Sequence, residues 1–259
     1  MVKLIKMDLR RLFRTGNVLV PLAVVAAINF LFTVAVIVLT KIFSPDEQQV
    51  EYFSKIISNP FVFYMLSMVM FITASSFSYG DMANGYIKNL VGQISRKSYI
   101  LHKIVVLGFH NAIWILACAL TQLAGSVVGS ALGYETLSND GHIGEALLTL
   151  LLKWLLSMAI TCILLFITNG IGNQTLATVV SVLFGSGAMS LAYMGISMGI
   201  NNLFNTKDFS LSDYMPDSLF SSVNVINNEF VVNSICVSLV CIVAFTVLTV
   251  YMFSRRDVK

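Results

Sequence analysis

The sequence predicts an all-α integral membrane protein with six transmembrane helices and both termini in the cytoplasm. Three observations carry this expectation. The 259 residues are 57% hydrophobic and only 11% charged, with a mean hydropathy of +0.83, which is too apolar for a water-soluble domain. Six apolar runs approach or exceed the roughly 20 residues that a bilayer core of about 30 Å asks of a helix. The basic residues that flank those runs gather on one side.

The runs are residues 18–40, 60–79, 103–132, 146–168, 175–200 and 231–253. Helices suit them because each satisfies its own backbone N–H and C=O groups in lipid, and the alternation of a membrane β-barrel is absent. The first run follows a basic segment, as a signal peptide would. It is longer than the roughly 7–15 apolar residues of a signal, so a retained helix is expected. The third is long enough to tilt or to begin in the interface. No soluble domain, repeat or low-complexity tract interrupts residues 1–259, which read as one transmembrane domain.

Charge sets the orientation. The N-terminus, residues 80–103, residues 169–174 and the C-terminus hold twelve basic and three acidic residues. The opposite segments hold four basic residues (Lys41, Lys55, Lys153 and Lys207) and ten acidic ones. The sides thus carry +9 and −6, which together make the +3 of the chain. The positive side is expected to be cytoplasmic, which requires an even number of spans.

The segment before the first run, VKLIKMDLRRLFR, reads as an amphipathic interfacial helix. Lys3, Lys6, Arg10 and Arg14 follow helical spacing, while Ile5, Leu9, Leu12 and Phe13 with Val2 share another face. The apolar face is expected in the acyl boundary and the cations near anionic lipid. The stretch GYIKNLVGQISRKSYILHK, Gly85 to Lys103, is a second such element. Ile87, Leu90, Val91 and Ile94 form a stripe at i, i+3, i+4 and i+7, with Lys88, Asn89 and Gln93 elsewhere on the wheel. Gly85 and Gly92 can bend the chain, and Ser98 is the expected N-cap of the third span.

Residues 201–230 are too long for a turn. Leu203, Phe204, Phe209, Tyr214, Met215, Leu219 and Phe220 are expected to dip into the outer interface or to cap a cavity between spans. Polar residues within spans are expected to bond across helices. Asn29, Asn111 and Gln122 are the candidates for lining a translocation path. No acid sits mid-span, which argues against a proton- or sodium-coupled carrier. Gly125, Gly129 and Gly133, and again Gly195 and Gly199, follow the small-xxx-small spacing that lets helices approach closely.

Catalytic and metal patterns are absent. Cys118, Cys162, Cys236 and Cys241 lie in apolar runs and read as small buried residues without disulfides. His102, His110 and His142 lack the HExxH spacing and are expected at the interfaces. Gly185–Gly187 is not the GxSG of an intramembrane protease, and no GxxxxGK[ST] pattern exists to bind ATP.

Asp81 at the exit of the second run, Gly85, Leu90, the SRKS of Ser95–Ser98 and Lys103 form a short series. It resembles the loop of the permease subunits of ABC-2 type ATP-binding-cassette exporters, an acidic residue, a Gly, a Leu-rich turn, a Pro-Ser-Arg-like element and a Lys. Ile94 stands where that family commonly has Pro, so the end of the helix is less sharply marked. The resemblance implies six spans, cytoplasmic termini and a cytoplasmic coupling helix between spans 2 and 3. Asp81, Gly85, Lys88, Asn89, Leu90, Gln93, Arg96 and Lys97 would couple to an ATPase, with Ile87, Leu90, Val91 and Ile94 as the apolar face.

The family likeness further implies two separately encoded ABC ATPase subunits, which bind the ATP and Mg, and a second permease chain, identical or different. This chain would bind no cofactor, no metal and no nucleic acid. Its place would be the bacterial cytoplasmic membrane, and its size resembles permeases that export antimicrobial peptides or give immunity to them. A non-transporting scaffold or assembly protein and a secondary carrier are the alternatives. The latter needs a titratable cluster at the midplane.

Overall fold

The computed structural model describes residues 2–14, 16–43, 50–52, 60–87, 94–132, 136–138, 143–204, 209–223 and 228–255. Helix α1 (Val2–Arg14) is followed by Gly16, whose φ of 67° suits glycine and turns the chain into α2 (Leu19–Phe43). The short strand β1 (Val50–Tyr52) pairs in parallel with β2 (Thr136–Ser138). Helix α3 (Pro60–Ala83) opens on a proline that has no N–H to leave unsatisfied.

Helix α4 (Arg96–Ala131) is 36 residues long, about 54 Å at 1.5 Å per residue. It starts seven residues before the apolar run that predicted it. Ser95 caps it, accepting from the Ser98 N–H at 3.2 Å, so the expected cap at Ser98 moves three residues upstream. Helix α5 (Ile143–Leu165) continues as a π-helical turn through Phe166–Ile171. Gly172, at φ 79°, ends it, and the Asn173 side chain accepts from the Leu176 N–H to cap α6 (Gln174–Ser186). The expected loop 169–174 therefore shrinks to two residues.

The expected span 175–200 is broken. Helix α6 ends at Gly187, again left-handed at φ 71°, and α7 (Met189–Phe204) leaves at 81°. The cause lies two residues back. A Cβ on Gly185 would stand 2.4 Å from the Met68 Cα of α3, and Ser67 donates to the Gly185 carbonyl at 2.9 Å. Backbone pressed on backbone fixes α6 to α3, and the flexible Gly187 then releases the chain.

Helices α8 (Pro216–Ser221) and α9 (Asn228–Arg255) complete the chain. Among the described residues, α2, α4, α5 with its π turn, and α9 are long and apolar enough to cross a membrane. The bent α6–α7 pair makes a fifth if it acts as one span. The chain is thus a helical protein of multi-pass membrane character.

Helices α3, α4 and α5 form the centre. α6 packs on α3, α2 on α4, and α9 on α5 and its π turn. α5 is mostly buried, whereas α2 and α9 expose Val20, Leu31, Val240 and Val243, apolar surface of the kind that lipid covers. Gly125 and Gly129 of α4 let α2 close in, since a Cβ on either would meet Thr33 or Ile37 within 3 Å. Gly195 and Gly199 have nothing within 4 Å, and Gly133 lies outside the described residues.

The apolar face of α1 rests on the bundle. Leu12 is fully buried in the main core, with Ile5, Leu9 and Phe13 packed on it, while Lys6, Arg10 and Arg14 are exposed and Lys3 lies on the same helix. Residues 209–223 also turn inward. Leu219, Phe220 and Val223 join the main core, with Phe220 6.1 Å from the Phe71 ring, whereas Leu203, Phe204 and Tyr214 stay exposed. Asp217 is buried there and accepts from the Tyr193 hydroxyl at 2.9 Å; burial pushes its carboxyl above the usual range.

Candidate functional site: a buried ion cluster joining three helices

Three segments meet at the end of the bundle that holds α1 and the end of α9. Asp8 lies on α1 within the spacing of its apolar stripe. Asp81 lies in the last turn of α3. Tyr99, His102 and Lys103, at i, i+3 and i+4, form one edge of the first turns of α4. All five are fully buried.

Asp81 accepts from three groups: Lys103 Nζ at 2.6 Å, Arg11 Nη2 at 2.9 Å and the Tyr99 hydroxyl at 3.0 Å. Asp8 accepts from His102 Nε2 at 2.9 Å and Arg11 Nη1 at 3.2 Å, with Lys103 at 3.6 Å. Aromatic faces close the cluster. The Arg11 guanidinium lies 4.1 Å from the Tyr86 ring centre, and the Lys103 ammonium 3.8 Å from that of Phe77.

Burial opposes charge on Asp8. The His102 hydrogen bond and the charges of Lys103 and Arg11 outweigh it, and the carboxyl sits below the usual range. Two carboxylates face Arg11, Lys103 and His102, so the cluster is a clamp of paired polar and charged groups. Taking such charges out of water is costly, and removing one partner leaves the other buried alone. The chemistry is mechanical: no helix of the three can slide without breaking a charged hydrogen bond.

A second tie lies beside it. Arg96, in the first turn of α4, donates to the carbonyls of Ser254 (2.7 Å) and Phe253 (3.3 Å), the last turn of α9. Tyr99 stacks on Phe253 at 5.5 Å. Ile87 is buried in the same apolar cluster as Phe253, and Ile94 packs on it. Both ends of the predicted stripe thus rest on one patch of the bundle. Gly85 takes the left-handed φ of 67° that the turn after α3 requires, and Lys97 is exposed. Lys88, Asn89, Leu90, Val91, Gly92 and Gln93 lie outside the described residues.

Next to the cluster, α2 leans on α4 and away from α3, leaving a cleft of about 730 Å³. Arg11, Asn17 and Asn84 stand among its lining, with Thr73 and Ser76 on the α3 wall and Val20 and Pro21 on the α2 wall. None of the three path candidates lines it. Asn29 donates to Thr121 Oγ1 at 2.8 Å and to the Cys118 carbonyl at 3.3 Å. Asn111 donates to Thr161 at 2.8 Å. Gln122 is buried against its neighbours with no hydrogen-bond partner among the described residues.

Several sequence expectations change. His102 and His110 are fully buried: His102 belongs to the cluster, and His110 bonds Thr73 at 3.1 Å and Asn111 at 3.1 Å. His142 lies outside the described residues. Lys153, counted with the outer charges, is buried ten residues inside α5. Cys118 and Cys162 are buried as expected, but Cys236 is exposed. The Asp8–His102 pair was not foreseen. Its signal was there, because Asp8 sits three residues after Ile5 and four before Leu12, on the apolar face of α1.

Among the described residues, no three of His, Cys, Asp and Glu gather as a metal site. No protein-family model matches the chain, and no curated protein matches it.

Proposed function

We propose that the chain is the permease subunit of an ATP-driven exporter of the ABC-2 type. It has six spans, with α3 and the α6–α7 pair included, and both termini in the cytoplasm of a bacterium. Separate ABC ATPase subunits bind and hydrolyse ATP with Mg, and a second permease chain completes the path. The observation that carries the reading is the clamp of Asp81 by Lys103 and Arg11. It locks both roots of the 84–95 connection, and helix α1, into one body. A push on that connection by a motor outside the membrane then reaches α1, α3 and α4 together. The mainly apolar cleft beside it, with Arg11, Asn17 and Asn84 among its lining, suits an amphipathic cargo, of which antimicrobial peptides are one class.

Two measurements test this. An ABC ATPase should co-purify with the full chain from its native membrane after mild crosslinking. Leu90→Asp with Ile94→Asp should abolish export while the protein still inserts. Persistent export by that double variant, or transport without any ATPase, counts against the proposal. Buried Lys153 and His110 favour a secondary carrier as the second reading, which predicts transport driven by an ion gradient alone.

A further inference from the structure

Away from the ion cluster, α4 and α5 meet along a file of polar residues. On α5, Glu145, Thr149, Lys153, Ser157 and Thr161 recur at every fourth position, and Thr149 through Thr161 are buried. Asn111 bonds Thr161, and Lys153 lies close enough to Cys118 to interact electrostatically, so α4 ascends as α5 descends. Continued in steps of about four residues, that register brings Trp114 level with Ser157, Gln122 with Thr149, and Ser126 with Glu145. The buried stretch from Thr149 to Thr161 spans about 18 Å of helix.

Five polar atoms in and beside this file are buried without a hydrogen-bond partner among the described residues. They are Nε2 and Oε1 of Gln122, Oγ of Ser126, Nε1 of Trp114 and Oδ1 of Asn29. Asn29 reaches in from α2 and holds Cys118 and Thr121. An unpaired buried amide is costly to leave dry, and a polar file with several such groups along it is the kind of place that holds ordered water. Donors and acceptors are both present, which suits water rather than an ion of one sign. We propose that the α4–α5 seam is a hydrated file, with internal water bound by Gln122, Ser126, Trp114 and Asn29. This inference does not rest on the transport reading, since a carrier or a scaffold could hold the same water.

Two native cysteines provide the test. Cys118 lies in the file. Cys162 is as deeply buried but sits beside Thr161, toward Thr246 of α9. Single-cysteine chains retaining one or the other, with the remaining three changed to serine, are placed in lipid vesicles and transferred to D2O, and exchange of the thiol proton is followed by the loss of its S–H infrared band. A hydrated file makes the Cys118 thiol exchange on the order of tenfold faster than that of Cys162, because exchange follows water access. Gln122→Leu, which keeps the volume but removes the amide, should slow Cys118 to the rate of Cys162. Equal rates for the two cysteines overturn the proposal. An unchanged Cys118 rate in a folded Gln122→Leu chain overturns it as well.

Discussion

Lys103 Nζ lies 2.6 Å from Asp81 Oδ2, and neither side chain has any exposed surface. A pair so placed joins the end of one helix to the start of the next across 22 residues of sequence. Its energy is largely a matter of what is left when one partner goes. Lys103→Met should lower the stability of the detergent-purified protein by about 3–5 kcal/mol, and Lys103→Met with Asp81→Asn should recover part of it. Thermal unfolding of the two single variants and the double gives the coupling.

The second carboxylate of the cluster makes stability depend on pH. The folded pKa of Asp8 lies below its unfolded value of about 3.9. Its contribution is complete well above that value and is lost as the pH falls through the folded pKa. The Tm of Asp8→Asn should therefore lie below that of the native chain at pH 6, and the gap should narrow as the pH falls below about 3.9.

Gly185 is where α6 touches the α3 backbone. Gly185→Ala puts a methyl group 2.4 Å from the Met68 Cα, an atom that cannot swing aside. The cost should be about 1–3 kcal/mol or more in thermal unfolding. Gly195→Ala, where nothing lies within 4 Å, should cost nothing and even favour the helix.

The 209–223 segment owes its place to buried apolar side chains. Phe220→Ala should destabilise by about 3–5 kcal/mol and free residues 209–223 for proteolysis, because Phe220 packs on Phe71 in the main core. Leu203→Ala, at an exposed position, should leave both stability and proteolysis unchanged.

Composition and run length made the helical membrane character legible, and the 3–4 spacing of VKLIKMDLRRLFR made α1 legible. The break at Gly187 was not, since a hydropathy window averages over a turn that one left-handed glycine can end. The π turn at 166–171 was hidden for a related reason: a helix with one looser turn keeps the same composition. At the site, charge counting treated Asp81, Lys103 and Lys153 as markers of a side. Their burial follows from tertiary pairing and packing, which no single segment encodes. Asp8 is the exception, an acid on an apolar face, which only a buried partner can explain.

The most direct test joins the clamp to its proposed motor. The native chain and Asp81→Asn are each purified from their own membranes after crosslinking, and the ATP turnover of any co-purifying ATPase is measured. If the chain is an exporter permease, an ABC ATPase comes with both, and Asp81→Asn stops export while ATP is still turned over. Recovery of the folded native chain with no ATPase contradicts it, as does export that Asp81→Asn leaves untouched.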